Sequence, residues 1–180
     1  MLGQLRRIVQ DVAQEPVLQN ALAGLVSSVK QALTTECCSV YLADYDQQHF
    51  MLMATDGLNP EAIGNIAIGF SEGLIGWVGQ REEPINLAKA HLHPRFKVTP
   101  EVSEDRFSAF LGCPIIHHRK VLGVLTIQQA AERVFSEDEE SFLVTLAAQL
   151  ASVLANAEMR QAVGQSSPSQ SQSSQMKGLP

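Results

Sequence analysis

The chain has 180 residues, 45% of them apolar, and a formal net charge of −6, which suits one domain plus a tail. No basic block is longer than two residues and no run of about 20 apolar residues occurs. This argues against a nucleic-acid partner, whose phosphates need a clustered positive face, and against a membrane span. The N-terminal Met1–Arg7 is amphipathic rather than a charged region followed by an apolar block, so a standard signal peptide is excluded and the cytoplasm is expected.

Leu2, Leu5, Ile8, Val9 and Val12 recur at helical spacing and predict a first helix over 2–14. Pro16 fits the first turn of a second helix, with Leu18, Leu22, Leu25, Val26, Val29 and Leu33 as its apolar stripe and Thr34-Thr35 as its end. Cys37–Tyr45 reads as a strand with Val40 and Leu42 on one face and Ser39 and Tyr41 on the other. Asp46-Gln47-Gln48 makes a turn, and His49–Thr55 returns as a second strand. Asn59-Pro60 opens a short irregular or helical piece, and Ile66–Phe70 is a third, short strand.

Ser71 can cap a short helix across Gly73–Gly79, whose glycines recur every third residue. So much glycine is poor for helix propensity. It makes sense where a backbone must approach something closely, either the sheet beneath or a small ligand. Pro84–Leu87 is a brief extended piece, Ala88–Phe96 is turn-rich, and Val98–Arg106 is charged and irregular.

Ser108–Gln129 reads SAFLGCPIIHHRKVLGVLTIQQ, two apolar runs separated by a charged break. A strand apolar on both faces is covered on both faces, so this segment predicts a hairpin at the centre of a sheet with layers above and below it. The His117–Lys120 break is its solvated turn. Cys37, Cys38 and Cys113 all lie in such apolar runs and read as small buried hydrophobes rather than a disulfide framework.

Ser136 and Glu139 have capping-box spacing at the start of a last helix. Its Leu143, Leu146, Leu150, Val153 and Ala157 are spaced three, four, three and four. That period of 3.5 marks helices that pair with helices. Part of this face must cover the sheet; the remainder suggests a homodimer built from terminal helices, with a monomer packed on itself as the alternative. From Gly164 the composition turns to Ser, Gln and Pro, a flexible linker leading to a truncated next domain.

The five histidines, Asp105 and Arg106 form no Ser-His-Asp order or metal spacing. Gly73, Gly76 and Gly79 lack the Lys-Ser/Thr of a phosphate-binding loop. No catalytic, metal or cofactor residue is therefore assigned.

The segments Glu72–Phe96, Phe110–Gln129 and Phe135–Ala157, in that order, resemble a GAF domain over residues 1–163. The opening LGQLRRIVQDVAQEPVLQNAL, the segment CCSVYLADYDQQHFMLMATDGL and VSEDRFSAFLGCPII are similar to the N-terminal GAF domains of the nitrogen-branch enzyme I family, the phosphoenolpyruvate-protein phosphotransferases. The terminal KGLP is similar to the start of that family's next, phosphohistidine domain. The resemblance implies an α+β fold, a GAF-type α/β/α sandwich with a central antiparallel sheet, terminal helices on one face and a crossover lid on the other. It also implies a sensory module, itself not an enzyme, acting on phosphotransferase domains downstream in cis.

In that fold a small-molecule pocket lies between the sheet and the crossover of residues 71–106. Its floor candidates are Ser39, Tyr41, Phe110 and Gln128, and its lid candidates are Trp77, Asn86, Phe96, Glu104 and Arg106. A free amino acid needs a cation or helix N-terminus for its carboxylate and a carboxylate or carbonyls for its ammonium. Arg106 with Glu104 or Asp105 could supply both, and Asn86 or Gln128 could meet a side-chain amide. The resemblance makes glutamine the leading effector. Cyclic nucleotides fit less well, since no Asn-Lys precedes Phe135 and Asp138-Glu139, and a bilin lacks a cysteine between residues 39 and 112. Two alternatives are a dimerisation module without ligand and a free-methionine-sulfoxide reductase using Cys113.

Overall fold

The computed structural model describes residues 1–102 and 106–165. Its centre is a six-stranded antiparallel sheet, ordered β3-β2-β1-β6-β5-β4. The strands are β1 (Cys37–Asp44), β2 (His49–Asp56), β3 (Ala67–Gly69), β4 (Ile85–Leu87), β5 (Ala109–His117) and β6 (Lys120–Gln129). The helices are α1 (Leu2–Gln14), α2 (Leu18–Ala32), α3 (Gly73–Arg81) and α4 (Glu137–Gln165). The fold is the expected α+β sandwich. Helices α2 and α4 cover one face with α1 laid over them, and α3 with the following crossover covers the other.

The predicted hairpin is β5–β6, paired from Ala109↔Gln129 to His117↔Lys120. Its alternation sends Leu111, Cys113, Ile115, Leu125 and Ile127 to the helix face and Phe110 and Val124 to the crossover face. Strand β1 divides the same way, Cys38 and Val40 against Cys37 and Tyr41. The β1–β2 turn is closed by the Asp44 carboxylate, which accepts the N–H groups of Asp46 and Gln47, each at 3.0 Å.

The glycines of α3 have a packing reason. A Cβ at Gly76 would lie 2.8 Å from the Phe70 carbonyl oxygen, and one at Gly79 would lie 2.7 Å from the Phe50 ring. Both positions bring the helix onto the polypeptide beneath. Ser71 is not the helix cap; Glu72 holds that position without a side-chain hydrogen bond, and the Ser71 carbonyl accepts from Arg95 at 3.1 Å. Pro16 likewise lies outside α2, which starts two residues later behind an extended Val17. The proline forces Glu15 out of the helical region, and the link reverses the chain between α1 and α2.

Helix α4 starts with the expected reciprocal capping box. The Glu139 N–H donates to Ser136 Oγ at 3.2 Å and the Ser136 N–H donates to Glu139 Oε1 at 3.0 Å. Arg133 clamps Glu139 with two bonds of 2.8 Å, and with the capping bonds this holds the carboxyl down at about 2. Over Glu137–Gly164 the helix is long and apolar enough to cross a membrane, but Leu143, Leu146 and Leu150 are buried on the sheet. Three of the five seam positions are thus spent inside the domain, and Val153 and Ala157 border α1 and the α1–α2 link. The helix runs to Gln165; the rest of the linker expected over 164–180 lies outside the described residues.

Candidate functional site

The crossover face is not sealed. At the end of the sheet where α3 begins, a cleft of about 340 Å³ opens between four pieces of chain. Ala67 and Ile68 of β3 form one wall, and the first turn of α3, Glu72 to Ile75, forms another. The segment Phe96–Glu101 forms a strap across it, and Gln128 of β6 lies at its floor. The residues fold this way because β3 pairs for only three residues and releases the chain directly into α3, so the helix N-terminus is aimed at the cleft.

The strap is held by polar ties near its ends. Arg95 donates to the Ser71 carbonyl at 3.1 Å and to Gln80 Oε1 at 2.9 Å. Lys97 pairs with Glu72 at 2.7 Å and holds that carboxyl below its usual range. Trp77 stacks on His93 with ring centroids 4.3 Å apart. Asn59 donates to the Glu101 carbonyl at 3.1 Å. Most of these ties are exposed to water, where each contributes little to stability.

Beneath the crossover runs a row of buried polar groups: Ser39, Thr126 and Gln128. Ser39 Oγ lies 2.9 Å from Thr55 Oγ1, and the Cys37 thiol donates to Gln128 Oε1 at 3.8 Å. Of this row only Gln128 reaches the cleft.

The sequence candidates therefore separate. Gln128 and Phe96 line the cleft. Ser39, Tyr41 and Phe110 face the crossover as expected but are covered by it and belong to its core. Trp77 is turned toward His93, because Leu74, Ile75 and Val78 take the inward stripe of α3. Asn86 is on the opposite face. It donates to the Phe135 carbonyl at 2.8 Å and to Glu140 at 3.2 Å, and its Oδ1 accepts the Phe135 N–H at 3.1 Å. It ties β4 to the start of α4 and contributes nothing to the cleft. Arg106 lies over the Phe107 ring and donates to the Gly57 carbonyl. Glu104 and Asp105 lie outside the described residues. Glu72, Lys97 and Glu101 are cleft residues that the sequence reading missed. A glutamate immediately before a glycine-rich helix start was the available signal for the first of them.

This arrangement can hold a small polar molecule. The α3 N-terminus and Lys97 favour an anion, Glu72 and Glu101 favour a cation, and Gln128 offers an amide. Among the described residues no cluster of His, Cys, Asp and Glu could hold a metal. Cys113 is on the helix face, where burial pushes its thiol up to about 12. It is therefore not the reactive cysteine beside the cleft that a sulfoxide reductase would need.

A sequence profile described as "GAF domain" matches residues 17–154. The chain is 51% identical over 165 residues to a protein of Salmonella typhimurium named phosphoenolpyruvate-dependent phosphotransferase system, covering 92% of this chain and 22% of that protein's length. It is also similar to the solved GAF domain of a phosphoenolpyruvate-protein phosphotransferase from Coxiella burnetii. There the TM-score is 0.86 and the identity 46%, over 89% of this chain and 96% of that one. The free methionine-R-sulfoxide reductase of Neisseria meningitidis, solved with its substrate, shares the fold at a TM-score of 0.75 and 22% identity, covering 88% of this chain and 89% of that one.

Proposed function

The chain belongs to the GAF domain family, and from that premise we propose that it is the sensory module of a phosphoenolpyruvate-protein phosphotransferase. In this reading residues 1–163 bind a small effector, residues 164–180 lead to the next domain, and the phosphotransfer chemistry belongs to domains downstream in cis in a cytoplasmic protein. The effector is a free amino acid, with glutamine the leading candidate. Its carboxylate meets the α3 N-terminus and Lys97, its ammonium meets Glu72 or Glu101, and its amide meets Gln128. The observation that carries this is the cleft itself, where a buried amide looks out into a space bounded by charges of both signs.

Occupancy would favour one position of the strap, and thereby bias α4 and the autophosphorylation it regulates. An effector can do this only through different affinities for the two states. The exposed Leu2, Val144, Met159 and Val163 on α1 and α4 support a homodimer through the terminal helices. Because Trp77 stacks on His93, three residues before the strap, its fluorescence reports movement of the crossover rather than ligand contact. Titration with glutamine, 2-oxoglutarate and cyclic nucleotides, followed by that fluorescence and by Tm, is expected to respond to glutamine. Binding raises stability by mass action. No response to any of them would favour the ligand-free dimerisation reading.

A further inference from the structure

The opposite end of the crossover face carries a second open space, of about 440 Å³, at the C-terminal end of α3. Its floor is aromatic. Phe50 and Phe70 lie 4.8 Å apart between centroids, and Tyr45 meets Phe70 edge-on at 5.1 Å. The Tyr45 hydroxyl donates to the Val121 carbonyl at 2.6 Å, which fixes the ring, and the Lys120 ammonium sits 4.7 Å from its centroid.

The rim is unusual in its backbone. Glu82, which ends α3, and Arg119, at the tip of the β5–β6 hairpin, both have left-handed conformations, φ 54° and 65°. Helix ends and two-residue hairpin turns of this geometry favour Gly or Asn. Large charged residues there carry backbone strain, which is a pointer to function. Both side chains line the space, and among the described residues neither makes an ion pair or a side-chain hydrogen bond. Burial and the nearby Glu82 carboxylate push the Tyr45 phenol up. The groove therefore presents one anion, Glu82, and two cations, Arg119 and Lys120, the latter held over the Tyr45 ring, around an apolar floor.

We propose that this groove is a second binding site, for a zwitterion with an aromatic or large apolar body, such as a free aromatic amino acid. Its ring rests on Phe70 and Tyr45, backed by the buried Phe50, its carboxylate meets Arg119, and its ammonium meets Glu82. The site is separate from the cleft over Gln128 and does not depend on what that cleft binds.

The test is a titration of the chain with L-phenylalanine, followed by backbone amide NMR. N-acetyl-L-phenylalanine, which lacks the ammonium, and 2-phenylethylamine, which lacks the carboxylate, serve as comparisons. Phenylalanine is expected to shift the resonances of Gly79, Glu82, Lys120 and Val121, and both analogues are expected to bind more weakly. Arg119→Gln and Glu82→Gln should each weaken phenylalanine binding on the order of tenfold and leave any response at the cleft unchanged. Arg119→Gly relieves the strain, so it should raise Tm while still losing binding, which separates a lost site from a lost fold. The proposal is overturned if no resonance around the groove moves up to the solubility limit of phenylalanine, if the three compounds bind alike, or if Arg119→Gly binds as the parent does.

Discussion

The two faces of the sheet are built from the same strands and are used differently. The helix face is one continuous apolar layer, in which Leu22, Leu25 and Val29 of α2 and Leu143, Leu146 and Leu150 of α4 close on Val40, Leu111, Ile115, Leu125 and Ile127. The crossover face has a smaller apolar cluster, a row of buried polar groups and an open space at each end of α3. The helix layer closes directly over the sheet, while the crossover layer leaves space against the sheet at both ends of α3. Stability should therefore be concentrated on the helix side and binding on the crossover side.

The largest expected effect tests the first half of that contrast. Leu146→Ala removes a buried side chain from the closed layer and should cost about 3 kcal/mol, read from a shift in the urea midpoint at unchanged m-value. A loss close to zero would mean that the helix layer is not the core of the domain. The crossover side should respond in the opposite direction. Thr126 Oγ1 is buried without a hydrogen-bond partner among the described residues, so Thr126→Val should be neutral or stabilising by about 1 kcal/mol. A marked destabilisation would show that the hydroxyl is satisfied.

A smaller effect concerns pH. Glu139 has its folded pKa lowered to about 2 from 4.5. Its contribution is thus fully present above the unfolded value and is lost as the pH falls through the folded one. Glu139→Gln should flatten the acid limb of the stability profile between those values. An identical acid limb in the variant would assign acid sensitivity to other carboxylates, such as Asp56, held down by Lys30 and Ser27.

The same contrast explains what could be read from the sequence. Closed layers follow from periodicity, so the two-faced hairpin, the alternation of Ser39 and Tyr41 against Val40 and Leu42, and the capped start of α4 were all legible. The cleft was not, because its walls are the ends of short elements brought together by tertiary contacts. Glu72 and Lys97 are 25 residues apart, and no period links them. Trp77 is a lid candidate because the resemblance puts the pocket under the 71–106 crossover, yet the stripe Leu74, Ile75 and Val78 leaves it on the outer side of α3. Asn86 had a usable signal. It alternates with Ile85 and Leu87, which pack into the crossover core, so the amide must point to the other face. There it joins β4 to the start of α4 through Phe135 and Glu140.

The central claim is that the cleft over Gln128 is an effector site for an amino acid bearing an amide. Isothermal titration calorimetry of glutamine into the parent chain and into Gln128→Leu tests it most directly. Saturable binding to the parent, weakened on the order of tenfold or more when the buried amide is removed, measured at a temperature where both proteins are fully folded, is the predicted result. Equal glutamine affinity in both proteins, or no heat in either, would contradict it.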